Sequence, residues 1–127
     1  MRTLLIVDGA NVVGSVPDGW WRDRFGAAER LRDALVPIAR KGIPGHPGPV
    51  DVVLVVEGQA RGVESLPEVR VESAPGSGDD HIVELVRAAP DRTRVAVTAD
   101  RGLCERVTAL GAECVGPRTV RPSGPRT

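Results

Sequence analysis

The stretch "VDVVLVVEG", Val50 to Gly58, is the most strongly apolar run in the chain and decides how the rest is read. Its valines and leucine show no in–out alternation, so they describe a strand buried on both faces. The run stops on a carboxylate followed by glycine. "LLIVDGAN", Leu4 to Asn11, has the same form: an apolar run from Thr3 to Val7, then Asp8 and Gly9. "TRVAVTADRG" repeats it a third time and reaches Asp100. Strands buried on both faces belong to parallel sheets with helices on either side.

The intervening segments supply those helices. Between Gly19 and Lys41, apolar residues fall at Trp21, Phe25, Ala28, Leu31, Leu35 and Ile38, steps of three and four that predict one amphipathic helix. Pro37 is expected to kink or end its last turn. "GIPGHPGP", Gly42 to Pro49, reads as a turn-rich connector without regular structure. Val69 to Glu72 alternates and predicts a short edge strand. "GSGDDHIVELV" opens a second helix near Asp79, with Ser77 and Asp80 in the S-x-x-D form of a helix start. Leu103, Val107 and Leu110 predict a third helix closed by Gly111, and Ala112 to Val115 a last strand. The resulting order is β-α-β-β-α-β-α-β, an α/β three-layer sandwich with a mainly parallel central sheet. One domain over residues 1–116 is expected, with 117–127 as a flexible Pro/Arg-rich tail.

Composition narrows the class. The chain has 127 residues, 41% of them hydrophobic, with 17 basic and 17 acidic side chains balancing to zero net charge. A globally basic nucleic-acid surface is absent, although local patches are not excluded. No apolar run approaches the roughly 20 residues that span a bilayer. Met1-Arg2-Thr3 leads directly into a strand, unlike a secretory signal, and a cytoplasmic protein without a membrane partner is expected. Cys104 and Cys114 form no metal-ligand spacing and are expected as free buried thiols.

Ligands of open α/β sheets collect at the carboxyl ends of the strands. Asp8, Glu57 and Asp100 each lie at such an end, and Asp79 and Asp80 follow a flexible "GSG" that lets them reach the same edge. Turn and cap chemistry explains any one of these acids, but explains less well their collection on one edge. Clustered carboxylates repel unless a cation neutralises them, and oxygen-only ligands suit Mg²⁺ or Mn²⁺. Asn11 would support Asp8. Other phosphate-site patterns fail on residues. The Asp-x-Asp of haloacid-dehalogenase-like phosphatases is broken by Ala10, a Toprim-like Asp-x-Asp is missing, and there is no P-loop. No small-molecule cofactor is called for, and a homodimer is left open.

Four pieces in order resemble the PIN-like NYN family, in its bacterial YacP-type branch. "LIVDGANVVG" is similar to the opening strand with its acid and asparagine. "VVLVVEG" is similar to the second strand, with Glu57 in place of the usual acid. "GSGDDHIVELV" resembles the Asp-bearing helix start, and "VAVTADRG" the segment ending in the Asp100 position. The resemblance covers about Leu4 to Val115. It implies a PIN-like, Rossmann-like topology and a ribonuclease whose Mg²⁺ or Mn²⁺ is bound by Asp8, Asp79, Asp80 and Asp100 with Glu57. Many relatives carry a further acid three or four residues past Asp100, where this chain has Leu103 and Cys104. That departure keeps a second reading alongside: an RNA- or protein-binding module that does not cut. Hydrolysis of a small nucleotide is a third. Trp20 is off the apolar stripe and is a candidate for base stacking, with Arg22, Arg24 and Arg101 as candidates for phosphate contact. A solvated, ion-paired helix face explains Arg22 and Arg24 equally well.

Overall fold

The computed structural model describes residues 1–121. Five strands form one parallel sheet in the order β5-β4-β1-β6-β7. They are β1 (Leu4–Asp8), β4 (Asp51–Val56), β5 (Val69–Ser73), β6 (Arg94–Val97) and β7 (Glu113–Val115). The connections are α1 (Gly9–Val13), α2 (Arg24–Ala34), α3 (Val36–Lys41), α4 (Gly78–Arg87) and α5 (Arg101–Ala109). Leu5, Val7, Val52, Leu54, Val56, Val95 and Val97 point to one face and pack with α1, α2 and α3. Leu4, Ile6, Val53, Val55 and Ala96 point to the other and meet α4 and α5. The lack of alternation in the strands is therefore two cores sharing one sheet. This is the three-layer sandwich expected from the sequence, with β5 at an edge as its alternation implies.

The first helical region differs from the single helix expected. It comprises a 3₁₀ turn at Trp20–Arg22, then α2, then α3. Asp23 Oδ1 accepts the Gly26 N–H at 2.9 Å and starts α2 afresh. Pro37, in the first turn of α3, is tolerated there but not inside a continuous helix. The break shifts the stripe. Ala28, Leu31 and Leu35 are buried as expected, but Trp21 is 50% and Phe25 38% exposed. Residues 42–49 also hold a minimal antiparallel pair, β2 (Gly42–Ile43) with β3 (His46–Pro47).

Two further expectations are corrected. The tail does not begin at 117: Pro117–Thr119 form a 3₁₀ turn, and Val120 is buried in the α1–α3 core. Arg121 donates to the carbonyls of Val12 and Val13 at 3.1 and 2.9 Å and pairs with Asp18. Residues 122–127 of the expected tail lie outside the described residues. The cysteines are not free: Cys104 on α5 and Cys114 on β7 are disulfide-bonded, with Cα atoms 5.6 Å apart. The chain folds back so that α5 packs against β7 and brings them together, which ten-residue spacing alone does not reveal. Among the described residues no helix is long and apolar enough to cross a membrane.

Closing so short a loop restricts the unfolded chain by about 2–3 kcal/mol. The Cys104→Ser/Cys114→Ser double variant is expected to lose stability of that order in a urea titration. An unchanged midpoint would show that the bond contributes nothing.

Candidate functional site

β1 lies between β4 and β6, so the carboxyl ends of these three strands are neighbours. Asp8 is the last residue of β1 and at the same time the N-cap of α1. It is 5% exposed. The chain turns directly from strand to helix because Gly9 has no side chain: a Cβ there would stand 2.5 Å from the Val55 carbonyl oxygen. Both Asp8 oxygens are engaged. Oδ1 accepts the Asn11 N–H at 3.3 Å, and Oδ2 accepts the Thr98 hydroxyl at 2.9 Å.

Thr98 extends this network to the next strand. Its Oγ1 accepts the Asp100 N–H at 3.1 Å, while Asp100 Oδ1 caps α5 through the Leu103 N–H at 3.0 Å. Asn11 Oδ1 accepts the Ala99 N–H at 2.8 Å, so α1 is pinned to the same loop. On the other side, Glu57 Oε2 accepts the Gly78 N–H at 3.0 Å and draws the start of α4 to the edge. A Cβ on Gly78 would sit 3.2 Å from the Glu57 carboxylate, so glycine permits this approach. Ser77 caps α4 by accepting the Asp80 N–H at 3.1 Å, as its motif implies.

Asp79 is thereby presented among the other acids. Burial raises its pKa above the ordinary aspartate value, and repulsion from Asp100 and Glu57 adds to this, with Arg106 opposing. Burial likewise raises that of Asp8; the bonds from Thr98 and Asn11 oppose the rise, while Asp79 and Glu57 add to it. Asp8, Asp79, Asp100 and Glu57 therefore share one field of negative charge. Asp80, next along α4, adds a weaker repulsion to Asp79. Its exposed carboxylate pairs with Arg106 on α5 at 3.0 Å.

The donor chemistry suits a hard divalent cation, since every group is an oxygen and no thiol or imidazole intrudes. The acids are electrostatic neighbours rather than a closed cage: among the described residues no three His, Cys, Asp or Glu side chains gather as a ready metal site. Mg²⁺ commonly binds through one or two carboxylates and several waters, which such an open arrangement accommodates. Leu103 is buried in the α4–α5 core and Cys104 is in the disulfide, so neither position offers a ligand.

Trp20 is half-buried against the core, with the Arg24 guanidinium 5.4 Å from its ring centroid. Arg22 lies over the exposed Trp21 at 5.8 Å. Arg101 is exposed in the first turn of α5, directly after Asp100. His81, next to Asp80 on α4, is bonded to Glu72 at 2.6 Å. Sequence reasoning passed over Thr98, whose signal was a lone hydroxyl at the end of the apolar run "RVAV", 2% exposed in the structure.

Sheet order and helix layers give an α/β fold of the YacP kind. A solved example is a mutant of Rae1 (YacP) from Bacillus subtilis, whose crystal structure matches with a TM-score of 0.74. The match covers 94% of this chain and 72% of that one at 20% identity, and establishes the fold. No family model matches the chain, and no curated protein matches it in sequence.

The raised pKa of Asp79 fixes the sign of a pH effect. A carboxyl that holds its proton more tightly when folded favours folding less as pH rises from the ordinary value, 3.8, through its raised one. Asp79→Asn removes that penalty. Its unfolding midpoint should exceed the wild type's at pH 7, and the gap should close as pH falls towards 4. Thermal melts across that range check this; a variant less stable at neutral pH would contradict it.

Proposed function

We propose that this chain is a divalent-metal-dependent ribonuclease that hydrolyses RNA phosphodiester bonds at the carboxyl edge of its sheet. The observation that carries the reading is the shared field of Asp8, Asp79, Asp100 and Glu57, held in place by Thr98, Asn11 and Gly78. Two negative charges, Asp79 and Glu57, brought close to the buried Asp8 cost stability, and such a cost recurs at sites built for a cation. The YacP-like fold agrees with this reading.

Asp8, Asp79 and Asp100 would hold Mg²⁺ or Mn²⁺, with Glu57 at the flank and Asp80 reaching it on release from Arg106. The cation supplies an acidified water and charge neutralisation at the phosphodiester. The protein's own part is orientation. The Thr98 hydroxyl and the Asn11 N–H fix both Asp8 oxygens, and the cap to Leu103 fixes Asp100. Arg101 stands beside Asp100 where a guanidinium would contact a non-bridging phosphate oxygen. Arg22 and Arg24, across the edge near Trp20, would contact the flanking backbone. RNA is the proposed partner and the cytoplasm the proposed location, where a reducing environment would open the Cys104–Cys114 bond.

A second reading, binding of RNA or protein without cleavage, is favoured by the loss of ligand capacity at Leu103 and Cys104 and by the open arrangement of the acids. Incubation with single-stranded RNA in Mn²⁺ or EDTA separates the two, and a parallel arm with nucleoside triphosphates tests small-nucleotide hydrolysis. Cleavage should require Mn²⁺. Asp100→Asn should lower it by at least about 100-fold, while the protein stays folded, because asparagine caps a helix as well as aspartate. Cleavage that survives the substitution would sink the nuclease reading, and binding of intact RNA would favour the second.

A further inference from the structure

A cavity of about 310 Å³ opens between α1, α2 and the end of β4, next to the acid edge. Its walls are Val13, Ala28 and Val56, and its polar groups come from Trp20, Arg24 and Glu57. It exists because small residues stand where the layers meet: Gly9 and Ala10 on α1, Ala28 on α2, Ala60 after β4. Its volume is near the lower bound of small-molecule pockets, about 300 Å³, which suits one planar ring system rather than a polymer.

Glu57 belongs to both the cavity and the acid cluster. Its Oε2 accepts the Gly78 N–H and keeps a second lone pair, while Oε1 receives no hydrogen bond among the described residues. Arg24 lies over the Trp20 ring rather than against a carboxylate. The cavity thus offers a carboxylate acceptor, a guanidinium donor and an indole on an apolar floor. A nucleobase is the ligand with matching faces: an apolar plane for the walls and a hydrogen-bonding rim. Among the four bases only guanine presents two adjacent N–H donors to a carboxylate together with paired O6 and N7 acceptors for an arginine.

We infer that this cavity is a subsite for one unstacked guanine of the RNA, lined by Trp20, Arg24 and Glu57. The inference rests on the RNA reading above and adds a base preference to it. With the base seated beside Glu57, its sugar-phosphate lies at the acid edge, so the bond cut would neighbour a guanosine.

The chain has two tryptophans and no tyrosine, so a Trp21→Phe background leaves Trp20 as the single reporter of the cavity. Its emission is titrated with GMP, AMP, CMP, UMP and ribose 5-phosphate in EDTA, where nothing is cut. GMP should give a saturable change and bind at least about tenfold more tightly than the other nucleotides, and ribose 5-phosphate should give none. Ala60→Leu should fill the cavity and abolish the response. Glu57→Gln, which replaces one acceptor oxygen by a donor, should erase the preference for guanine. Unfolding midpoints confirm that each variant folds; if one does not, the other carries the test. Absence of a saturable response, equal affinity for all four nucleotides, or a response untouched by the folded variants would overturn the subsite. Metal-dependent RNA cleavage without guanine-selective binding would leave the nuclease reading standing and the subsite refuted. Guanine-selective binding without cleavage would do the reverse.

Discussion

The hydrogen bond from the Thr98 hydroxyl, one residue past β6, to Asp8 Oδ2 ties the ends of β6 and β1 together at the carboxyl edge, and the rest of the edge is arranged around it. A carboxylate only 5% exposed needs partners for both oxygens. Thr98, just past β6, supplies one and the α1 backbone supplies the other. Because the same threonine oxygen accepts the Asp100 N–H, the position of Asp8 and the start of α5 are set together. Asn11 closes the arrangement by bonding to Ala99 between them. Two helix caps and one side-chain bond thus hold two acids from different strands without any contact between the acids themselves.

This economy explains why cap chemistry and site chemistry are hard to separate at such an edge. Asp8 and Asp100 do cap helices, as the plainer reading of strand-end acids expects. The cap uses one oxygen of each and places the carboxylate at a helix N-terminus, where the helix dipole favours negative charge. Asp79 differs. Its helix is capped by Ser77, leaving its carboxyl to face Asp100 and Glu57. It is the acid whose presence at the edge local structure does not require.

Much of the fold was legible in the sequence because it rests on patterns within single segments. Val50 to Gly58 and its two counterparts signal doubly buried strands by composition alone, and order then restricts the sheet. What the sequence did not disclose depends on contacts between segments. Trp20 and Trp21 exchange roles because Asp23 restarts the helix, which changes the phase of the stripe. The Cys104–Cys114 bond follows from α5 lying beside β7. Val120 and Arg121 are ordered by the α1–α3 face, although their local composition suits a tail. At the edge, Asp8, Glu57 and Asp100 were legible as acids at strand ends, Asn11 as an amide just past Asp8, and Asp79 as an acid at a helix start. Asp80 follows Asp79 by one residue, a turn of about 100° along the helix, and pairs with Arg106 while still adding to the negative charge at Asp79. Thr98 was overlooked since a hydroxyl at the end of a strand carries no charge signal.

The proposed function requires the acid edge to take up a cation. A crystal soaked in Mn²⁺ and measured at the manganese absorption edge tests this directly. The account predicts an anomalous peak among the carboxylates of Asp8, Asp79 and Asp100. An acid edge without a peak at saturating Mn²⁺, or manganese bound only elsewhere, would contradict it.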